Sequence, residues 1–371
     1  METLRILALN WRDVNHPEAG GAEVDVHEFA RLASRWGHQV TLFTARYRNA
    51  KPEEEIAGYR VVRGGNKFTV YLAAMATYGR RFGRERFDVI LDDINGVPWF
   101  TPLYVQQPVV ALLNHIVGRT FFQDMPLPLA ALGWLAEALI PSVYGMVPLM
   151  VRTATFRCEL TKAGYSPDNI HVVHSGLDRE TYRPDGEKAA VPTIIFVGPI
   201  KAYKHPETAL KIIASLAREF PSIRLDVVGW DRNDLLRQLV QLAERLGIRG
   251  HVTFHGWVSE KEKVRLLQRA WLLVQPSERE GWSYVVMEAA ACGTPAVATA
   301  VGGMRESVVN GVSGLLVPYG DRYALENAAR SVIMDNDLRS LLSAGAIERS
   351  QEFSWERYTR EVLDVLRTAC G

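Results

Sequence analysis

The stretch Leu272-Leu273-Val274-Gln275-Pro276-Ser277-Glu278-Arg279-Glu280-Gly281-Trp282-Ser283-Tyr284-Val285-Val286-Met287-Glu288-Ala289-Ala290-Ala291-Cys292-Gly293-Thr294-Pro295-Ala296-Val297-Ala298 decides the fold. It opens on a continuous apolar run, the pattern of a strand buried on both faces. Pro276 and Gly281 mark a polar loop, and Ser283 stands where its side chain can cap a helix. The apolar residues that follow read as that helix, Gly293 and Pro295 stop it, and 296–298 read as the next strand. Glu280 then lies in the loop and Glu288 about a turn and a half into the helix. Gly281 lets a ligand approach backbone N–H groups, and the helix N-terminus carries roughly half a positive charge. Carboxylates accept hydroxyl protons while the helix end takes an anion, so the pair suits a ligand with hydroxyls at both ends and a phosphate between them. A nucleotide sugar has that shape. The plainer reading, two solvated glutamates on a surface helix, is disfavoured by the flanking glycines, Pro295 and the buried strand.

The same alternation runs along the whole chain, so the class is α/β with parallel sheets covered by helices. In the first half the strand candidates are 6–9, 40–43, 59–62, 89–91, 109–113, 147–151 and 171–173. In the second they are 193–197, 224–228, 252–254, 272–274, 296–298 and 315–317. At 371 residues the chain is too long for one ordinary core and fits two domains, with a cleft expected between them. Gly176, Pro184, Gly186 and Pro192 make 176–192 a linker, separating domains at 1–175 and 193–353. A last helix over about 354–371 carries the apolar stripe Tyr358, Val362, Val365 and Leu366 and is expected to pack back on the first domain.

Lys and Arg total 43 against 42 Asp and Glu, a net charge of +1, so no bulk attraction to nucleic acid or anionic membrane is expected. The three cysteines, Cys158, Cys292 and Cys370, form no CxxC pair, which points to a reducing, cytoplasmic setting and away from a zinc site. The N-terminal run is strand-like rather than the core of a signal peptide. The longest apolar stretch, 125–151, contains Glu137 and four prolines (Pro126, Pro128, Pro141 and Pro148), which are expected to break any spanning helix. Within it, 127–151 reads first as core; its second reading is a cradle for a lipid-linked acceptor, a peripheral contact with the inner membrane surface.

At this point the sequence resembles the retaining glycosyltransferases of family 4, which have the GT-B fold of two Rossmann-like domains facing a central cleft. The segment from Glu280 to Glu288 looks like the family's E-x7-E motif. His16-Pro17-Glu18-Ala19-Gly20-Gly21-Ala22-Glu23 is similar to its glycine-rich loop, and Asp92-Asp93-Ile94-Asn95-Gly96-Val97-Pro98 and Pro108-Val109-Val110-Ala111-Leu112-Leu113-Asn114-His115 resemble two strand ends of its acceptor-side domain. Gly302-Gly303-Met304-Arg305-Glu306 and Gly311-Val312-Ser313-Gly314-Leu315-Leu316-Val317 match its closing donor-domain pattern. The resemblance covers nearly the whole chain.

It implies that Glu288 bonds ribose hydroxyls, that Glu280 faces the donor sugar, and that N–H groups of Gly281, Trp282, Ser283 and Tyr284 line the sugar and diphosphate. Gly20 and Gly21 would contact the donor phosphates, and His115 would lie near the reaction centre; Asn114, Asp13, His16 and Glu23 are further candidates. Lys204 matches the family's phosphate lysine, but Pro199 stands where an arginine is usual, with Lys201 as a candidate substitute. Losing one charge-assisted bond to phosphate costs about 1.5–3 kcal/mol. Ser283 replaces a common glycine, which leaves donor choice open. No DxD pair or His/Asp cluster suits Mg²⁺, so no metal or other cofactor is expected beyond the nucleotide sugar itself.

The expected activity is metal-independent transfer of a hexose-type sugar, with retention, from a UDP- or GDP-linked donor to a hydroxyl of a glycan or lipid-linked saccharide. The rival readings are a nucleotide-sugar epimerase of similar fold and a non-catalytic two-domain sugar-binding protein.

Overall fold

A computed structural model describes residues 3–124, 126–231 and 234–371; Met1, Glu2, Met125, Arg232 and Asn233, including the start of the N-terminal reading and the first residue of the apolar stretch, lie outside the described residues. The chain forms two compact units, Met1–Gly176 with Trp355–Gly371, and Leu177–Ser354.

The first unit contains β1 (Arg5–Leu9), β2 (Gln39–Thr44), β3 (Glu53–Ile56), β4 (Tyr59–Arg63), β5 (Val89–Ile94), β6 (Val109–Leu113), β7 (Leu149–Val151) and β8 (Ile170–Val172). They form one sheet in the order β3-β4-β2-β1-β5-β6-β7-β8. Every pairing is parallel except β3 with β4. The sequence reading missed β3, because Glu53-Glu54-Glu55 offers no apolar alternation. It survives as an edge strand through backbone pairing and through Arg60, which bonds Glu53 at 2.6 Å. The expected strand 147–151 starts two residues late: the Val147 N–H is used in a turn to Tyr144, and Pro148 has no N–H to give.

In the second unit, β9 (Thr193–Val197), β10 (Arg224–Val228), β11 (Val252–Gly256), β12 (Leu272–Gln275), β13 (Ala296–Thr299) and β14 (Gly314–Val317) form a parallel sheet ordered β11-β10-β9-β12-β13-β14. Successive side chains of a strand point to opposite faces. Ile194 and Phe196 accordingly enter one core layer, while Ile195 and Val197 enter the other. Strand order reverses between β1 and β5 in one sheet and between β9 and β12 in the other, and ligands of open α/β sheets bind at such points, beyond the strands' carboxyl ends.

Residues 177–192 do not run as an open linker. Leu177 and Tyr182 are buried in the second unit's core, and Lys188 Nζ donates to Ala270 O at 2.9 Å and Thr294 Oγ1 at 2.6 Å. Burial pushes the Lys188 ammonium down to about 8. The last helix, Trp355–Cys370, belongs to the first unit and buries Tyr358, Val362, Val365 and Leu366, the predicted stripe.

The stretch 127–151 is not one unbroken helix, as expected: it forms two, and Pro141 stands in the first turn of the second. Pro128 and Pro141 fall in the first turns of the helices Leu127–Ala138 and Ile140–Tyr144, where no N–H is needed. Taken together the two helices, Leu127–Tyr144, make an 18-residue stretch apolar enough to pass for a membrane span by length and composition only, with 28% of it buried. Glu137 ties it to the first unit by accepting the N–H groups of Val117 and Gly118 at 2.5 and 2.6 Å. Core packing accounts for Ala130, Gly133, Ile140 and Tyr144, but Leu127, Leu132, Trp134 and Leu135 are exposed.

Candidate active site

The two loops at the second unit's switch point meet. Residues 198–205 leave β9, residues 276–283 leave β12, and the Glu278 N–H donates to Tyr203 O at 2.8 Å between them. Lys204 Nζ lies 2.5 Å from Glu280 Oε1, with both side chains nearly buried, and Ser277 Oγ donates to the same oxygen at 2.7 Å. Two predicted residues, 76 positions apart, are thus brought into one ion pair. Lys201 and Arg279 join Lys204 around the Tyr203 ring, 5.8, 4.8 and 5.6 Å from its centroid respectively. Arg279 was not legible as a candidate, since its neighbour across the ring comes from another strand's loop.

The Gly302-Gly303 pair has a structural reason. The Gly303 N–H donates to Glu280 O at 2.8 Å, and a Cβ on Gly302, whose φ is +41°, would stand 2.2 Å from that oxygen. Glycine there holds the backbone of Glu280 in place. At the other side of the site, a Cβ on Gly229 after β10 would stand 1.8 Å from Gly198 O after β9, so glycine alone allows these two loops to close up.

The helix Tyr284–Ala291 begins as expected, with Ser283 at its cap position. Its hydroxyl makes no capping bond, contrary to expectation; the Ser283 backbone is extended and its carbonyl accepts from Val286 and Met287. Trp282 is a core residue by its side chain, edge-on to Phe353 at 5.1 Å, so only its backbone is a candidate ligand contact. Gly281 is exposed and Tyr284 half-buried. Glu288 does not join the Lys204–Glu280 pair. It is buried on the helix, and its Oε1 lies 3.1 Å from Lys263 Nζ.

In the first unit, Gly20 caps the helix Gly21–Arg35, and its N–H donates to Glu23 Oε2 at 2.7 Å. Glu23 is therefore a buried helix-capping acid, raised by that burial, and Asp13 is a buried partner of Arg63 at 2.6 Å, both side chains fully enclosed. Neither is a solvated loop charge. His16 Nδ1 accepts the Glu18 N–H at 3.0 Å. Asn114 bonds Asp93 Oδ1 at 2.5 Å and Asn95 Oδ1 at 3.0 Å, and Asn95 bonds Asn10 Oδ1 at 3.1 Å. These asparagines follow β6, β5 and β1 and line the carboxyl edge of the sheet at its switch point. His115, one residue on, is exposed. Burial raises Asp92 to about 6 and Asp93 well above the carboxylate range.

Residues 19–181 match the family described as Glycosyltransferase Family 4, and residues 178–349 match Glycosyl transferases group 1. A D-inositol 3-phosphate glycosyltransferase of Xylanimonas cellulosilytica is 32% identical over 95% of this chain and 92% of its own length. That of a Nocardioides species is 36% identical over 55% of this chain and 49% of its own, so the chain spans about half the length of that relative. Among solved structures, the Anabaena Alr3699/HepE protein in complex with UDP and glucose superposes with a TM-score of 0.76 at 17% identity, over 98% of this chain and 100% of that one, a likeness of fold. Matches over both units, and a relative aligned over nearly its whole length, favour a transferase over the epimerase and the sugar-binding protein. The chain belongs to glycosyltransferase family 4, enzymes of the GT-B fold with two Rossmann-like domains.

Proposed function

We infer that the chain moves a hexose-type sugar from a UDP- or GDP-linked donor, with retention, to a hydroxyl of a glycan or a lipid-linked saccharide. The observation that carries this reading is the meeting of Lys204 and Glu280 at the switch point, beside the N-terminus of Tyr284–Ala291. The diphosphate lies against the N–H groups of 281–284. Lys204 exchanges Glu280 for phosphate, and Lys201 and Arg279 supply cationic charge that Pro199 does not. Developing negative charge on the leaving diphosphate is then met by donors already in place. Glu280, released, accepts from hydroxyls of the donor sugar, and Glu288 from the ribose. The departing diphosphate takes the acceptor's proton on the same face, so no protein nucleophile is required. The acceptor belongs to the first unit, where the resemblance implies Gly20 and Gly21 as contacts of the donor phosphates and His115 as a residue near the reaction centre. UDP stands first among donors because a protein of this fold is described in complex with UDP and glucose. The reading requires no metal, because the N–H groups of 281–284 with Lys204, Lys201 and Arg279 are available to meet the charge of the leaving diphosphate.

Incubation with UDP-, GDP- and ADP-sugars, with and without a chelator, tests the reading. One donor class should raise the melting temperature and release nucleotide only when an acceptor is present, undiminished by the chelator. Product without acceptor would return the epimerase, and no response to any nucleotide would remove the enzyme reading.

We place the protein in the cytoplasm, with the face of Leu127, Leu132, Trp134 and Leu135 against the inner membrane surface, where a lipid-linked acceptor would lie. An exposed apolar helix face of this size is the supporting observation. In sedimentation with phospholipid vesicles, the wild type should pellet and a Leu132→Glu, Leu135→Glu variant should stay in solution. A wild type that stays wholly in solution contradicts the placement.

A further inference from the structure

Glu288 is held by a network that the sugar-transfer reading does not use. Lys263, from the helix Glu260–Arg269, places Nζ 3.1 Å from Glu288 Oε1 and 3.2 Å from Glu260 Oε2. Tyr182 donates its hydroxyl to Glu260 and carries the Lys263 ammonium 5.2 Å from its ring centroid. Glu288 Oε2 is enclosed and has no hydrogen-bond partner among the described residues. One carboxylate oxygen is thus occupied by the lysine, and the Tyr182 hydroxyl stands close to the same carboxylate.

We propose that Lys263 is a positioning residue of the nucleotide site: by binding one oxygen of Glu288 it fixes the orientation of that buried carboxylate and leaves the other oxygen for the ribose hydroxyls. This rests on the reading of Glu288 as the ribose contact. Burial raises the Glu288 carboxyl, Glu260 adds to the rise, and Lys263 is the chief opposing influence. Burial alone would lower the Lys263 ammonium, but Glu288 and Glu260 outweigh it and hold it above its usual value. Tyr182 from residues 177–192, Glu260 and Lys263 from the neighbouring helix, and Cys292 and Lys188 on the far side are the titratable groups around Glu288. Lys263 is the cation named among the influences on Glu288, and Lys188, beside Cys292, is committed to Ala270 and Thr294. Without Lys263, Glu288 faces burial and Glu260 together, and its carboxyl rises further. A protonated carboxyl no longer accepts two ribose hydroxyls through charged oxygens, and ribose recognition weakens as pH falls through the raised value.

The test is the ratio of dissociation constants for 2′-deoxy- and ribonucleotide, measured by calorimetry from pH 6 to pH 9 with UDP and dUDP and with GDP and dGDP. Phosphate titration is common to both members of a pair and cancels in the ratio. The wild type should prefer the ribonucleotide about tenfold at every pH, the size of one lost charge-assisted bond. Lys263→Met should show a ratio that falls toward one as pH is lowered, and Lys263→Arg should restore the wild-type profile. Lys263→Gln serves the same purpose should the methionine variant fail to fold. A Lys263→Met profile identical to the wild type overturns the inference while leaving the ribose reading in place. A wild-type ratio near one, or a Glu288→Gln variant that keeps the wild-type preference, removes the ribose reading and this inference with it.

Discussion

Replacing Glu280 by glutamine is expected to lower sugar transfer about 10²–10³-fold while shifting the melting temperature by no more than a few degrees. The amide keeps the shape of the carboxylate, and its oxygen can still accept from Lys204 and Ser277, which lie 2.5 and 2.7 Å from Glu280 Oε1. What is lost is a charged acceptor for the hydroxyls of the donor sugar, and a charge-assisted bond is about twice as strong as a neutral one. Glu280→Ala would also stop transfer, but it strands the nearly buried Lys204 ammonium without its partner, so lost activity and lost stability would be confounded. Steady-state assay with the preferred donor, beside thermal unfolding, separates the two. Wild-type turnover in a folded Glu280→Gln variant would exclude the residue from the reaction.

The largest loss of stability is expected at a pair with no direct part in the chemistry. Arg63 Nε lies 2.6 Å from Asp13 Oδ2 with both side chains fully enclosed, and Arg63 Nη1 also reaches Glu54 Oε1 at 2.6 Å and Lys51 O at 2.9 Å. Asp13 in turn accepts the Asn15 N–H at 2.9 Å, so the pair anchors the loop that leads to Gly20 and Gly21. Arg63→Met leaves the Asp13 carboxylate buried and unpaired, at a cost of about 3–5 kcal/mol, out of a typical total of roughly 5–15 kcal/mol. Adding Asp13→Leu removes the stranded charge and should recover much of that loss, because an apolar pair of similar volume is often as stable as a buried ion pair. Chemical denaturation of the single and double variants measures both effects. A single variant within about 1 kcal/mol of the wild type would mean that the pair is not buried in solution.

How far the sequence reveals this molecule depends on whether the deciding partners are local. The strand, loop and helix around Glu280 and Glu288 were readable because Leu272–Gln275, Gly281, Ser283 and Pro295 signal them within a short window. β3 was not, since an edge strand of three glutamates is held by Arg60 and by backbone pairing, neither visible in its own composition. Asp13 and Glu23 looked like loop charges available to a ligand. Arg63, 50 residues along the chain, claims one, and burial over the Gly20 N–H claims the other. Lys263 gave no signal either: beside Glu260 and Glu262 it reads as a solvated helix pair, and only the fold brings it to Glu288. The apolar run 127–151 was legible as apolar, with core as its first reading and a membrane-facing cradle as its second; which residues face out depends on Glu137 and its two backbone donors, which the run's own composition does not show.

The central claim is that a nucleoside diphosphate binds at the switch point of the second unit. A crystal structure grown with saturating UDP or GDP decides it. The expected result is the diphosphate against the N–H groups of 281–284, Lys204 turned from Glu280 to a phosphate oxygen, and the ribose hydroxyls at about 3 Å from Glu288. A nucleotide held by the first unit instead, or a site left empty with the Lys204–Glu280 pair unbroken, would contradict it.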